Sequence, residues 1–451
     1  MNVQGKESRV NRLFSTLLNG VYLSAILVAL PWLLWSAIKH GKYREGFAAK
    51  LLGCVPRRAG TRPCIWLHAV SVGEVNLLGT LLGSLQASRP DWDFVISTTT
   101  KTGYDLARKK YVDHTVFYCP LDFSWATKRA MERVRPSLLL LAELELWPNL
   151  IQAARCGGAR VAIVNGRLSD DSIRGYRQLR PLVARVLRQV DLIAAQNDET
   201  AHRFRQLGAN PSSVHTTGSL KFDGAQTDRR NEKTRNLHAL AGLASEDIIF
   251  LAGSTQSPEE SYAISIVQEL VQDFPRLKLV LVPRHPHRFG EVAKLLDQSG
   301  LPWVRRSRFG TAQPAIRRGQ TAILIDSVGE LGAWWGTATA GFVGGSFGSR
   351  GGQNMLEPTA YGVATCFGPN TRNFRDIVSQ LLAARGAQVV GDREALARFV
   401  RRVLEDPEWA ESLGQRAREL VVAQQGATAR TVDLLLPLVA EDVHASPRSA
   451  A

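Results

Sequence analysis

Short, nearly charge-free runs alternate with helix-like stretches along this chain, and the alternation breaks once and then restarts. In the first half the runs fall at 64–70, 94–98, 115–118, 137–142, 160–164 and 191–195, with amphipathic stretches such as 77–86 and 173–188 between them. Strands that are apolar throughout, rather than at alternate positions, are buried on both faces, and a helix between each pair makes them neighbours in a parallel sheet. The pattern lapses over 223–244, where the chain is polar, and resumes at 248–252, 277–282, 321–325, 340–343 and 363–366, before a long helical region from about Arg393. The alternation predicts an α/β protein of two doubly wound halves, 41–222 and 245–440, joined by a linker at 223–244 and followed by a disordered tail at 441–451. In such sheets ligands bind beyond the C-terminal ends of the strands, so the residues there are the candidates for chemistry.

Upstream of both halves, residues 14–38 contain no charged side chain and are rich in Leu, Val, Ala and Trp. As a helix rising about 1.5 Å per residue this stretch is long enough to cross a bilayer. Tyr22, Trp32 and Trp35 suit the interfacial belts, whereas Ser15, Thr16, Asn19 and Ser24 are polar and Pro31 interrupts the pattern. Residues 1–40 are therefore read as an N-terminal membrane anchor. The alternative is a cleaved signal peptide, but no small-x-small cleavage pattern follows. Lys39, Lys42, Arg44 and Lys50 after the stretch outweigh Lys6, Arg9 and Arg12 before it, which predicts an inner-membrane protein with its bulk on the cytoplasmic side. Both halves lie downstream, so removal of residues 1–38 is expected to leave them folded.

A net charge of +15 favours anionic partners: an acidic substrate, an anionic membrane surface or nucleic acid. With no motif that reads DNA or RNA, nucleic acid is not expected. Cys54, Cys64, Cys119, Cys156 and Cys366 are scattered, odd in number and lack C-x-x-C spacing, as reduced thiols do. His285-x-His287 has no third ligand nearby, and no metal is expected.

Five segments at strand ends carry the candidate chemistry. Ser71-Val72-Gly73-Glu74 follows the first strand; Ser-x-x-Glu is a capping box, yet a carboxylate there is also placed to take a proton from an attacking hydroxyl. The run 138–142 leads into Glu143-Leu144-Glu145-Leu146-Trp147-Pro148-Asn149, where Pro148 suits a first helical turn, Trp147 reads as core and Glu145 is left open. Thr217-Gly218-Ser219-Leu220-Lys221-Phe222-Asp223 ends the first half, and Lys221 has only its nearness to the junction to mark it. Val282-Pro283-Arg284-His285-Pro286 offers Arg284, whose planar fork suits a phosphate or carboxylate. Gly344-Gly345-Ser346-Phe347-Gly348-Ser349-Arg350-Gly351-Gly352-Gln353-Asn354-Met355-Leu356-Glu357-Pro358 joins a strand to a helix, where glycine N–H groups can wrap an anion and Glu357 can hold a ribose. It is neither a Walker loop nor a G-x-G-x-x-G fingerprint, and a plain glycine-rich turn is the alternative.

Taken in order, these stretches, together with His68-Ala69-Val70, Ala194-Ala195-Gln196-Asn197 and Phe342-Val343, resemble the bacterial Kdo (3-deoxy-D-manno-octulosonic acid) transferases of lipopolysaccharide synthesis over nearly the whole chain. The resemblance implies a two-domain GT-B glycosyltransferase fold, CMP-Kdo as donor, a lipid A precursor as acceptor, and no cofactor or metal. It implies Glu74 as catalytic base, with Glu143 and Lys221 assisting the transition state. It implies cytidylate contacts from Pro283 and Arg284, from Val328-Gly329-Glu330, and from Asn354, Met355, Leu356 and Glu357. The chain departs from the pattern at Gln256 and Gln353, where the family usually carries His; Gln keeps hydrogen bonding but does not titrate near neutrality. Two rival readings are another GT-B enzyme, of the lipid-A-disaccharide synthase or epimerase type, and a non-catalytic membrane-anchored nucleotide-binding protein. Uridine binding would mark the first; Glu74, Glu143 and Lys221 together argue against the second.

Overall fold

The computed structural model describes residues 3–40, 45–309 and 321–443, with side chains at 13–40, 45–309 and 321–439. The side chains of Lys6, Arg9, Arg12, Lys42 and Arg44, and all but the first residues of the 441–451 tail, lie outside the described residues. The chain forms two compact units, residues 1–224 with 425–451, and residues 225–424.

The first unit is built on strands β1 (Cys64–His68), β2 (Asp93–Thr98), β3 (Thr115–Tyr118), β4 (Leu138–Ala142), β5 (Arg160–Gly166), β6 (Leu192–Ala195) and β7 (Val214–Thr216). They form a 7-stranded parallel sheet in the order β3-β2-β1-β4-β5-β6-β7. Every residue of β1 and β4 is buried, because helices cover both faces. The order reverses between β1 and β4, the position where open α/β sheets bind ligands. There His68 lies opposite Leu141, so the chain leaves both strands side by side, toward Glu74 on one and Glu143 on the other.

The second unit repeats the plan with β8 (Ile248–Thr255), β9 (Leu277–Pro283), β10 (Trp303–Arg305), β11 (Ala322–Leu324), β12 (Ala340–Val343), β13 (Ala364–Phe367) and β14 (Gln388–Val389), ordered β10-β11-β9-β8-β12-β13-β14. Here the reversal falls between β8 and β12, with Val343 opposite Gly253. Two doubly wound Rossmann-like units are the architecture that the alternation predicts.

Three features depart from the sequence reading. The polar stretch 223–244 contains the helix Glu232–Ala241, whose buried face is only Thr234, Leu237 and Ala241, too sparse to register as an apolar run. Asn231 caps it, accepting from the Thr234 N–H at 3.0 Å, and Gly242 at φ 63 ends it. The last helix, Ala427–Val443, joins the first unit rather than the second: Ala427, Val432, Leu435 and Val439 pack in a core with Ile65, Leu78 and Leu140. Asp223 holds its start through the Gly426 N–H at 2.7 Å and the Thr428 N–H.

The third is the N-terminal helix, Val3–His40, which runs through Pro31. It is long and apolar enough to cross a membrane, and Leu17, Val21, Leu27, Val28 and Leu34 are exposed. Its polar residues, however, engage the first unit: Ser15 bonds Gln152, Asn19 bonds Ser124, and Tyr22 bonds Asp122. The segment is part of the folded unit over this length, so its removal would not leave that unit untouched. Lys50, one of the basic residues after the segment, stands 4.1 Å over the Tyr118 ring.

Candidate functional site

In the first unit the helix Val72–Ser88 starts just beyond β1, with Ser71 as its N-cap. The Glu74 carboxylate accepts from the Val70 N–H at 2.8 Å and from the Ser71 hydroxyl at 2.7 Å. The capping geometry is therefore real. Burial pushes the Glu74 carboxyl up; the Val70 and Ser71 donors oppose this, and the negative charge of Glu143 adds to it. A cap carboxylate normally shows the opposite shift, so this one is raised in basicity by its surroundings.

Glu143 occupies the first position after β4 with φ 56. A non-glycine residue in the left-handed region costs roughly 1–2 kcal/mol. Asn165 and Ser254 share the same φ of 56 at the C-terminal ends of β5 and β8. Of the three, Glu143 follows a strand at the reversal of the first sheet and Ser254 lies on a strand at that of the second. Asn165 uses its Oδ1 to accept from the Leu220 N–H at 3.0 Å, which seats the short helix Leu220–Asp223. That helix directs Lys221 to Glu143, 3.4 Å away, with both side chains about a third exposed. The structure thus supplies for Lys221 the partner that the sequence did not reveal.

Glu145 accepts from the Trp147 indole N–H at 2.8 Å. Burial pushes its carboxyl up to about 7, with the charges of Glu74 and Glu143 adding to the shift. Glu74, Glu143, Glu145 and Lys221 therefore form one electrostatic group. His68, wholly buried on β1 and bonded to the Ser97 hydroxyl at 2.9 Å, is driven by burial down to about 4 and stays neutral. The Glu145 shift makes a prediction. Its folded pKa lies above its unfolded one, so its contribution is fully present below about pH 4.5 and is lost as pH rises toward 7. Glu145→Gln removes that loss, and after discounting for partial exposure should gain about 2 kcal/mol over the natural chain at neutral pH but nothing at pH 4. Thermal unfolding at the two pH values checks this.

In the second unit Arg284 follows β9 and is exposed, with its N–H bonded to the Thr255 carbonyl at 3.0 Å. Its guanidinium charge acts on Glu357, whose carboxyl is nonetheless pushed up by burial. Asn354 donates to Glu357 at 3.1 Å and accepts from the Leu356 N–H at 3.2 Å. Met355 and Leu356 are buried side chains, so any contact they make with a ligand is through the backbone. Pro283 is also buried, while Val328 and Gly329 form an exposed turn with Gly329 at φ 94. Glu330 is held by Arg306 through two bonds of 2.9 and 2.7 Å and by the Ser327 hydroxyl at 2.6 Å. Burial pushes its carboxyl up, but these donors outweigh it and hold it below the usual range.

The glycine-rich loop corrects one expectation. Its first N–H groups do wrap an anion, but that anion is the chain's own Glu259. This carboxylate, 1% exposed, accepts from Gly345 at 2.8 Å, Ser346 at 3.0 Å, Phe347 at 3.1 Å and Gln256 at 2.9 Å. The sequence shows Glu259 and Glu260 only as ordinary acidic residues of a first helical turn, and nothing local marks the first as internal. A Cβ at Gly344 would come within 2.7 Å of Glu259 and of the Thr255 backbone, so only glycine fits there. Gln256 and Gln353 converge: a Cβ on Gly345 would lie 3.4 and 3.2 Å from their amide nitrogens. The two glutamines singled out in the sequence therefore meet at one place in the structure. His285 and His287 stack at 5.3 Å, and among the described residues no group of three or more His, Cys, Asp or Glu is arranged to hold a metal ion.

Two parallel, doubly wound units with candidate groups at both sheet reversals define the GT-B class of glycosyltransferase fold. Among solved structures, the UDP-GlcNAc 2-epimerase from Neisseria meningitidis matches with a TM-score of 0.55 over 83% of this chain and 100% of that one; at 12% identity the likeness is one of fold. The pattern of the 3-deoxy-D-manno-octulosonic acid transferase (kdotransferase) family matches residues 43–224. The transferase of that name from Haemophilus influenzae is 32% identical over 94% of this chain and 99% of its own length. That of Bordetella pertussis is 34% identical over 92% and 98%. The chain belongs to the 3-deoxy-D-manno-octulosonic acid transferase family and is a glycosyltransferase.

Proposed function

We propose that this enzyme transfers Kdo from CMP-Kdo to a lipid A precursor of the lipid IVA type in lipopolysaccharide inner-core synthesis, with Glu74 as the base. The observation that carries this reading is the Glu74 carboxyl, raised by burial at the end of β1 beside the Glu143–Lys221 pair. An acceptor hydroxyl loses its proton to Glu74 as its oxygen bonds to the anomeric carbon of Kdo. The bond from that carbon to the phosphate oxygen breaks, and CMP leaves with the electron pair. Lys221, with Glu143 orienting it, offsets charge that develops in the transition state. In the second unit Arg284 meets the cytidylate phosphate, Glu357 the ribose, and Pro283, Val328, Gly329, Glu330, Asn354, Met355 and Leu356 complete the contacts. These steps draw on no metal or other cofactor.

The net charge of +15 suits an anionic donor, a phosphorylated acceptor and an anionic lipid surface. The exposed apolar side of the N-terminal helix is in keeping with an inner-membrane anchor and a cytoplasmic catalytic part. Measuring nucleotide release with CMP-Kdo and with UDP-GlcNAc tests the donor: CMP alone should be released, and release of UDP alone would end the cytidine reading. Arg284→Ala should weaken CMP binding about tenfold or more with little change in melting temperature, because an exposed Arg contributes little to stability. Calorimetric titration with CMP measures this, and an unchanged affinity removes Arg284 from the donor site.

A further inference from the structure

The helix Pro148–Cys156 begins where the Glu143–Trp147 turn ends, and its N-cap residue, Trp147, provides no side-chain cap. The first amides of a helix need partners. They find one in Asp122, in the turn after β3, whose carboxylate accepts from the Asn149 N–H at 3.1 Å and the Leu150 N–H at 2.8 Å. The Asp122 carbonyl accepts from the Asn149 side chain as well. Asp122 is 4% exposed and Asn149 2%. A carboxylate at a helix N-terminus also suits the helix dipole. Asp122 thereby fixes where this helix starts, and so where the turn carrying Glu143 and Glu145 has to finish.

The N-terminal helix reaches the same carboxylate. The Tyr22 hydroxyl donates to Asp122 Oδ2 at 3.1 Å, and the Tyr22 ring meets Phe123 edge-on at 6.1 Å. Asn19 donates to the Ser124 hydroxyl at 2.8 Å and accepts from the Ser124 N–H at 3.0 Å and the Asn149 side chain at 3.5 Å. Ser15 donates to Gln152 at 3.3 Å. Ser15, Asn19 and Tyr22 stand at i, i+4 and i+7, one stripe of the helix. A segment that only tethers an enzyme to a bilayer has no use for such a stripe.

We propose that the N-terminal helix is a working part of the first unit, and that Tyr22, acting through Asp122, is a positioning residue for the Glu143–Trp147 turn. The inference rests on the reading of Glu143 as part of the reacting centre. Burial works to neutralise Asp122, while the two amides and the Tyr22 hydroxyl favour its charged form. Without the hydroxyl, the cap weakens at the point that anchors the turn.

The test uses full-length enzyme with detergent-dispersed acceptor, so that delivery to a membrane plays no part. Tyr22→Phe is compared with Val28→Ala, on the exposed side of the same helix. In Tyr22→Phe the amides of Asn149 and Leu150 should exchange hydrogen roughly tenfold faster, confined to 143–150. The kcat should fall roughly tenfold with KM for the donor unchanged, since small misplacements cost that much or more. Val28→Ala should change neither. Wild-type exchange over 143–150, or faster exchange across the whole first unit, would overturn the proposal, as would an unchanged kcat where Glu143→Gln has lost turnover. Glu143→Gln is assayed alongside: wild-type turnover in that variant removes Glu143 from the reacting centre, and the confined exchange change then decides the positioning by itself.

Discussion

Glu74→Gln should leave the fold in place and lower transfer by about 10²- to 10⁴-fold, the range expected when a positioned base is lost. The substitution separates the two things this side chain does. As a cap, Glu74 accepts from the Val70 N–H and the Ser71 hydroxyl. Gln keeps one acceptor oxygen, and its amide group can donate to the Ser71 oxygen, so the start of the helix Val72–Ser88 is kept at a cost of about 1 kcal/mol or less. What Gln cannot do is take a proton. Paired assays of turnover and thermal unfolding read the two roles independently. Wild-type turnover with a lowered melting temperature would leave Glu74 as a cap alone.

The largest effect on stability is expected at Glu259. Its carboxylate is the acceptor for backbone N–H groups of Gly345, Ser346, Phe347 and Gln256, all in the interior or at its edge. Glu259→Ala leaves these donors without partners in a region where hydrogen bonds to a charged group contribute roughly 1.5–3 kcal/mol each. Destabilisation of about 4 kcal/mol or more follows, at the extreme end for single substitutions. Because the same amides shape the turn after β12, CMP binding should disappear as well. Glu259→Gln retains one acceptor oxygen but turns an amide group toward amides, and should fall between. Denaturant unfolding and CMP titration of both variants check this; full CMP affinity in Glu259→Ala would show that the turn holds its shape without an internal anion.

The alternation of apolar runs made both sheets legible because parallel strands buried on two faces are apolar throughout, as in the Leu138–Ala142 run. The edge strands Val214–Thr216, Trp303–Arg305 and Gln388–Val389 were not legible: they are short and partly exposed, so burial imposes little pattern on them. The amphipathic stretch 173–188 falls in two helices, Asp170–Gln178 and Arg180–Leu187, because Pro181 lacks an N–H and starts a new first turn. At the site, Glu74 and Arg284 could be picked out by their place after strands. Lys221 could not, since its meaning lies in the 3.4 Å approach to Glu143 across a long sequence separation. Glu259 and Asp122 were missed for the same reason. Each is a surface-type residue by composition, and becomes internal only because distant backbone amides converge on it.

Incubating the purified enzyme with CMP-Kdo and a tetraacylated lipid A precursor, and weighing the product by mass spectrometry, tests the proposed transfer itself. A product heavier than the acceptor by one or more whole Kdo units, formed by the natural chain and nearly absent with Glu74→Gln, is the result predicted. An acceptor of unchanged mass in the presence of folded, CMP-binding enzyme would contradict it.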